Sequence, residues 1–119
     1  MLKKRLNSFR YAFAGIASLV RSQANAKIHL AATALVIVAG FYFKISLNEW
    51  CIVTLTIAAV LAAEAFNTAL EHLTDLASPD FHPLAGKAKD VAAGAVLFIA
   101  IGAAVVGFLI FLPKIMALR

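Results

Sequence analysis

A long stretch without charged residues near the C-terminal end most constrains how this chain folds. Val91 to Leu112 is an uninterrupted apolar run, which Pro113 and Lys114 follow. A helix needs about 20 apolar residues to cross the hydrocarbon core of a bilayer, so the run predicts a transmembrane helix. Because the run is rich in glycine and alanine, which let membrane helices approach closely, we expect it to pack against other helices.

Apolar blocks recur through the rest of the chain. The 119 residues are 63% hydrophobic, whereas soluble domains average about 45–50%. We therefore predict an all-α membrane protein with an N-terminal amphipathic surface helix and three transmembrane helices, in a single domain spanning residues 1–119. The predicted segments are the surface helix at about residues 5–22 and the spans at about 28–44, 49–76 and 87–113.

The N-terminal segment is amphipathic and is not a spanning helix, because Arg10 and Arg21 interrupt it. Its apolar residues recur at spacings of three and four, which is typical of a helix lying on the membrane surface. They are Leu6, Phe9, Phe13, Ile16 and Val20. A polar joint at residues 23–27 follows. His29 lies near the start of the first span, where we expect a structural hydrogen-bonding role.

Two connections separate the spans. Ser46 and Glu49 have the spacing of a capping box, which predicts a tight hairpin before the second span. Residues 77–86 contain Pro79, Pro83 and a glycine, and they predict a loop.

The distribution of basic residues predicts the orientation of the chain. The net charge of +5 comes from basic residues that flank apolar blocks. This placement indicates contact with anionic lipid and a signal for membrane orientation, rather than nucleic-acid binding. Eight of the eleven precede the first span or lie in the 77–90 loop, so both regions are predicted to be cytoplasmic and the C-terminus outside. These eight are Lys3, Lys4, Arg5, Arg10, Arg21, Lys27, Lys87 and Lys89.

A polar face on the second span is the strongest functional signal. Glu64, Asn67, Thr68, Glu71 and Asp75 fall within an arc of roughly 100° on one helix face. Carboxylates inside a membrane helix are costly and usually mark function. Emergence of the helix into water could explain the last two acidic residues, but it explains Glu64 and Asn67 poorly because apolar residues surround them.

This acidic face suits a magnesium–phosphate site. Magnesium uses few protein carboxylates and completes its shell with water and phosphate oxygens. A deeper carboxylate could accept a proton from an attacking hydroxyl. The chain has no P-loop and no kinase glycine-rich loop, so any nucleotide site is non-standard. With Cys51 as the only cysteine and no His-rich motif, nothing indicates zinc or a disulfide.

Two motifs carry a resemblance to a known family. E-A-F-N-T-A-L-E-H-L-T-D (Glu64–Asp75) and H-P-L-A-G-K-A-K-D-V-A-A-G-A-V-L (His82–Leu97) resemble the signatures of the prokaryotic diacylglycerol kinase / undecaprenol kinase family. N-A-K-I-H-L (Asn25–Leu30) and the predicted helices also match, so the resemblance covers nearly the whole chain.

The resemblance implies a homotrimeric lipid kinase of the bacterial inner membrane, with active sites shared between subunits. It transfers the γ-phosphate of ATP to a lipid hydroxyl and requires Mg²⁺. By position, Glu64 resembles the proton acceptor, Asn67 supports the acidic pair and Glu71 resembles a magnesium ligand. The positions that match nucleotide contacts are Tyr11, Asp80, His82, Lys89 and Asp90.

The chain departs from the family pattern at one metal position. The family places a glutamate before the first span as a second metal ligand, where this chain has Gln23. An amide offers a neutral oxygen but no charge. We expect weaker metal binding through Gln23 and Glu71, unless another group compensates.

Three functions remain open at this point. The first is a diacylglycerol kinase that produces phosphatidic acid. The second is an undecaprenol kinase of the same fold, which V-A-A-G-A-V-L and N-A-K-I-H resemble somewhat more. The third is a non-enzymatic channel or assembly subunit whose acidic face conducts cations.

Overall fold

The structure, a computed structural model describing residues 1–119, is entirely helical, as the sequence predicts. The last three helices are long and apolar enough to cross a membrane, and the first has an apolar and a polar face. In chain order the helices are α1 (Leu2–Ser22), α2 (Ala24–Tyr42), α3 (Leu47–Ala77) and α4 (Pro83–Met116).

A tight hairpin joins α2 to α3, and the predicted capping box forms there. The Ser46 hydroxyl accepts a hydrogen bond from the Glu49 backbone N–H, and the Glu49 carboxylate accepts one from the Ser46 N–H, at 3.2 and 2.8 Å. Two N–H groups that the helix itself leaves unbonded are thereby satisfied. Lys44 reverses the chain with a positive φ of 51°.

The helices extend further than the sequence pattern predicts. Only Gln23 separates α1 from α2, so the expected polar joint is mostly helical. The loop before α4 is reduced to residues 78–82, because His82 caps the helix and Pro83 occupies its first turn, where a missing N–H costs no bond. The last helix continues past Pro113 to Met116, three residues beyond the predicted end of the span. Pro113 has no N–H to donate to the carbonyl of Leu109, so one helix hydrogen bond is missing in the last turns of α4.

Side-chain contacts fix how the helix ends lie relative to one another. Lys114 near the end of α4 pairs with Glu49 at the start of α3, with Nζ and Oε1 2.7 Å apart. At the other end, Lys89 on α4 pairs with Asp75 on α3. The helices α3 and α4 are therefore antiparallel partners, with the α2–α3 hairpin at one end and the loop before α4 at the other.

Very few side chains are buried within the single chain. A small apolar core forms around Ile45, Val53 and Ile110 at the hairpin end. Most large apolar side chains on the helix surfaces are exposed. Such a surface is suited to lipid or to neighbouring subunits rather than to water.

Replacing Gly40 by alanine should destabilise the hairpin. An added Cβ would lie 2.6 Å from Cη2 and 2.8 Å from Cζ2 of Trp50, a ring that also packs against Phe41. Overpacking of this kind typically costs about 1–3 kcal/mol. Thermal unfolding in detergent should show a lower midpoint. Gly15→Ala is the matched control because nothing lies within 4 Å of its Cβ position, and an unchanged midpoint for Gly40→Ala would contradict the contact.

Candidate active site

Glu64 is the most deeply buried ionisable residue of the chain. It lies just past the middle of α3 with 1% of its surface exposed. Its Oε2 atom is buried and accepts no hydrogen bond. A buried carboxylate oxygen without a partner is costly, and such groups are found where a ligand or substrate completes the interaction.

The residues one and two turns from Glu64 continue the polar face towards the loop end. Asn67 and Thr68 are buried, and the Asn67 amide donates from Nδ2 to Glu71 Oε1 at 3.2 Å. Asn67 Oδ1 and Thr68 Oγ1 are also buried without partners. Four oxygen-bearing side chains thus line one side of α3, and three of them have an unpaired atom.

A polar cleft of about 200 Å³ lies at the loop end, between the end of α3 and the start of α4. Lys89 on α4 pairs with Asp75 on α3 at this cleft, and Asp75 lies one turn beyond Glu71 on the same helix. This interaction connects the cleft to the polar face of α3. The polar side chains that line the cleft are Thr74, Asp75, Ser78, Asp80, His82 and Lys89.

Two of the predicted nucleotide residues in this cleft have structural contacts. His82 accepts a hydrogen bond at Nδ1 from the Leu84 N–H at 3.1 Å, which caps α4. The backbone carbonyl of Asp80 accepts a bond from the Ser78 hydroxyl at 2.8 Å. The His82 Nε2 atom and the Asp80 carboxylate stay available to a ligand.

Three other residues that were predicted to contact nucleotide or metal lie outside the loop-end cleft. Tyr11 and Asp90 are exposed, do not line the cleft and form no side-chain hydrogen bond. Gln23 is half-buried at the junction of α1 and α2, and its side chain forms no hydrogen bond. No cluster of three or more His, Cys, Asp or Glu side chains is present.

His29 lies beside Glu64, a placement that the sequence analysis did not predict. Its Nε2 atom lies 3.7 Å from Glu64 Oε2. It also stands at one end of an apolar groove of about 380 Å³ between α2, α3 and α4, which reaches Phe111 near the opposite end. Its occurrence in the N-A-K-I-H-L motif was the only available signal, and it did not indicate which helix the ring faces.

Comparison with known proteins connects this arrangement to a family. The family model for prokaryotic diacylglycerol kinase matches residues 10–111, which include the loop-end cleft, the apolar groove and the buried Glu64. The chain belongs to the prokaryotic diacylglycerol kinase family. The resemblance carried by the two motifs is thus confirmed, and the chain is a membrane lipid kinase.

Two relatives cover nearly the whole of this chain. An undecaprenol kinase of Bacillus subtilis is 42% identical over 114 residues, which are 96% of this chain and 93% of the relative. A diacylglycerol kinase of Synechocystis sp. is 40% identical over 114 residues, which are 95% of this chain and 65% of that protein. Family membership favours an enzyme over the channel hypothesis, because both relatives are kinases.

Proposed function

We propose that this chain transfers the γ-phosphate of ATP to the hydroxyl of a membrane lipid, with Glu64 as the proton acceptor. The observation that carries the proposal is the unpaired Glu64 Oε2 in the interior of a membrane-length helix. Towards the loop end, the same helix carries Asn67 and Glu71, and Lys89 of α4 pairs with Asp75 one turn further on. A lipid hydroxyl could approach from the bilayer while a nucleotide binds at the wet end.

The polar face of α3 fits a magnesium ion. Magnesium usually takes one or two protein carboxylates, with water and substrate phosphates as the other ligands. Glu71 would supply the carboxylate, and Gln23 would supply a neutral amide oxygen. The unpaired Oδ1 of Asn67 offers a further oxygen near the Glu71 carboxylate. When bound, the ion would neutralise negative charge on the transferring phosphates.

The residues of the chain would divide the remaining work. The lipid hydroxyl oxygen forms a bond to the γ-phosphorus, and its proton passes to the Glu64 carboxylate. The bond between the γ-phosphorus and the bridging oxygen breaks, and ADP leaves with that electron pair. Lys89, together with Asp80 and His82, would bind the nucleotide in the loop-end cleft. Catalysis would rest mainly on positioning and charge neutralisation.

Undecaprenol is the acceptor that we favour. The relative matched over 93% of its own length is an undecaprenol kinase, whereas the diacylglycerol kinase relative is matched over 65%. Diacylglycerol is the second candidate because the family model carries its name. The test is a competition in which undecaprenol and diacylglycerol are present at equal mole fraction in the same detergent micelles. ATP labelled at the γ-phosphate then shows which alcohol receives more phosphate. More label in undecaprenyl phosphate supports our choice, and more in phosphatidic acid reverses it.

Exchanging Gln23 for glutamate should strengthen metal binding. If Gln23 and Glu71 share a magnesium ion, Gln23→Glu adds a charged ligand and lowers the magnesium concentration needed for half-maximal activity. The measurement is a magnesium titration of activity at fixed ATP, with Gln23→Asn as the uncharged control. An unchanged or raised magnesium requirement would remove Gln23 from the metal site.

We also propose a homotrimer with the loop before α4 on the cytoplasmic side. The extensive exposed apolar surface and the small residues of α4 support association of copies within the membrane. The basic residues near α1 and the loop support the orientation. Cross-linking in mild detergent should trap species up to the trimer. A ladder that ends at the monomer would contradict the assembly.

A further inference from the structure

We propose that His29 is a positioning residue that fixes the hydroxyl of the acceptor alcohol against Glu64. The inference rests on the proposed function and adds to it a second contact for the reacting hydroxyl. His29 lies on α2 and Glu64 on α3, so the pair joins two helices at the buried end of the polar face.

The first observation is the distance between the two side chains. Nε2 of His29 and Oε2 of Glu64 are 3.7 Å apart, which is longer than a hydrogen bond between them. A hydroxyl oxygen can lie at a hydrogen-bond distance of about 2.8 Å from both atoms at once. The angle between the two hydrogen bonds at that oxygen is then about 80°. In this position the alcohol donates its proton to Glu64 Oε2 and accepts a hydrogen bond from the N–H of a neutral imidazole.

The second observation is that both atoms lack partners. Glu64 Oε2 is buried and unpaired, and the His29 ring forms no hydrogen bond with the protein. The other polar side chains that line the apolar groove are Thr33 and Thr56. Each of these hydroxyls donates to the carbonyl one turn earlier, to His29 O and Ile52 O at 2.8 and 2.7 Å.

The imidazole is therefore the one group lining the groove with an unused N–H. An apolar groove with a single free donor orients an alcohol by its hydroxyl. The donor bonds a lone pair of the hydroxyl oxygen, so it holds the O–H bond aimed at the carboxylate. Because attack requires an aligned oxygen, loss of this contact should lower turnover more than lipid binding.

Three substitutions separate positioning from packing. His29→Leu removes the donor and retains apolar bulk. His29→Gln keeps an amide N–H near the position of Nε2, and His29→Asn carries the same amide one methylene shorter. We expect kcat to fall about tenfold or more for the leucine and asparagine variants, with KM for ATP unchanged and KM for the lipid within about threefold. His29→Gln should recover at least about a third of the wild-type kcat.

The controls keep this test separate from the proposed function. Ser8→Ala should leave kcat within about twofold, because Ser8 lies on α1 outside the groove and loses only the bond from its hydroxyl to the Lys4 carbonyl. Equal kcat losses for the glutamine and asparagine variants, or wild-type kcat for His29→Leu, would overturn the positioning role. Absence of lipid phosphorylation by the unmodified chain would instead overturn the proposed function.

Discussion

Replacing Glu64 by glutamine should lower the turnover of lipid phosphorylation by about 100-fold or more, with ATP affinity nearly unchanged. The substitution keeps the shape of the side chain but removes the carboxylate that would accept the hydroxyl proton. General-base catalysis typically contributes about 10²–10⁴-fold. Glu64 lies two helical turns from Glu71, about 10 Å along the axis, so nucleotide binding at the loop end should not depend on it directly. Turnover and ATP affinity should be measured on the same folded preparation.

Glu49→Gln is the matched control for this variant. It removes a carboxylate from the same helix, but at the hairpin end, where Glu49 pairs with Lys114. Its turnover should match that of the unmodified chain. Near-normal turnover of Glu64→Gln would show that Glu64 is not the base. A parallel collapse of ATP binding would place Glu64 in the metal site.

Replacing Glu71 by glutamine should have the second largest effect, and of a different kind. Disruption of groups that merely support a metal ligand typically costs about 10–100-fold in metal affinity, so loss of the proposed ligand carboxylate should cost at least that. We expect the magnesium concentration for half-maximal activity to rise at least tenfold, and turnover at ordinary magnesium to fall accordingly. Magnesium titrations at saturating ATP and lipid measure both effects.

The response to excess magnesium distinguishes the proposed role of Glu71 as a metal ligand from that of Glu64 as the proton acceptor. High magnesium should restore part of the activity of Glu71→Gln, because the remaining ligands still bind the ion weakly. It should restore nothing in Glu64→Gln, which lacks the proton acceptor. Equal rescue of both variants, or of neither, would contradict the division of roles between the two carboxylates.

Local sequence signals predicted the fold well. Apolar runs of membrane-spanning length gave the three long helices, and the Ser46–Glu49 spacing gave the capping box that the structure contains. Helix ends were less predictable. Residues 24–27 were predicted to belong to a polar joint but form the first turn of α2, because a helix satisfies its own backbone whether its surface is polar or apolar.

The polar face of α3 was also predictable, because its residues belong to one helix and their spacing fixes their relative positions. Contacts between helices were not. Asp75 and Lys89 lie 14 positions apart on different helices, and His29 meets Glu64 across 35 positions. The sequence does not give the axial offset between α2 and α3. At the loop end, α3 extends well beyond the start of α2. His29, in the second turn of α2, therefore lies at the same level along the helices as Glu64 near the middle of α3.

The most direct test of the central claim follows the γ-phosphate into lipid. The unmodified chain in detergent micelles that contain undecaprenol or diacylglycerol should be supplied with magnesium and ATP labelled at either the γ- or the α-phosphorus. We predict that γ-label enters the lipid phase with one lipid phosphate formed per ADP released, and that α-label stays in the aqueous phase. ATP consumption without labelled lipid, or no consumption with either alcohol by the folded chain, would contradict a lipid kinase.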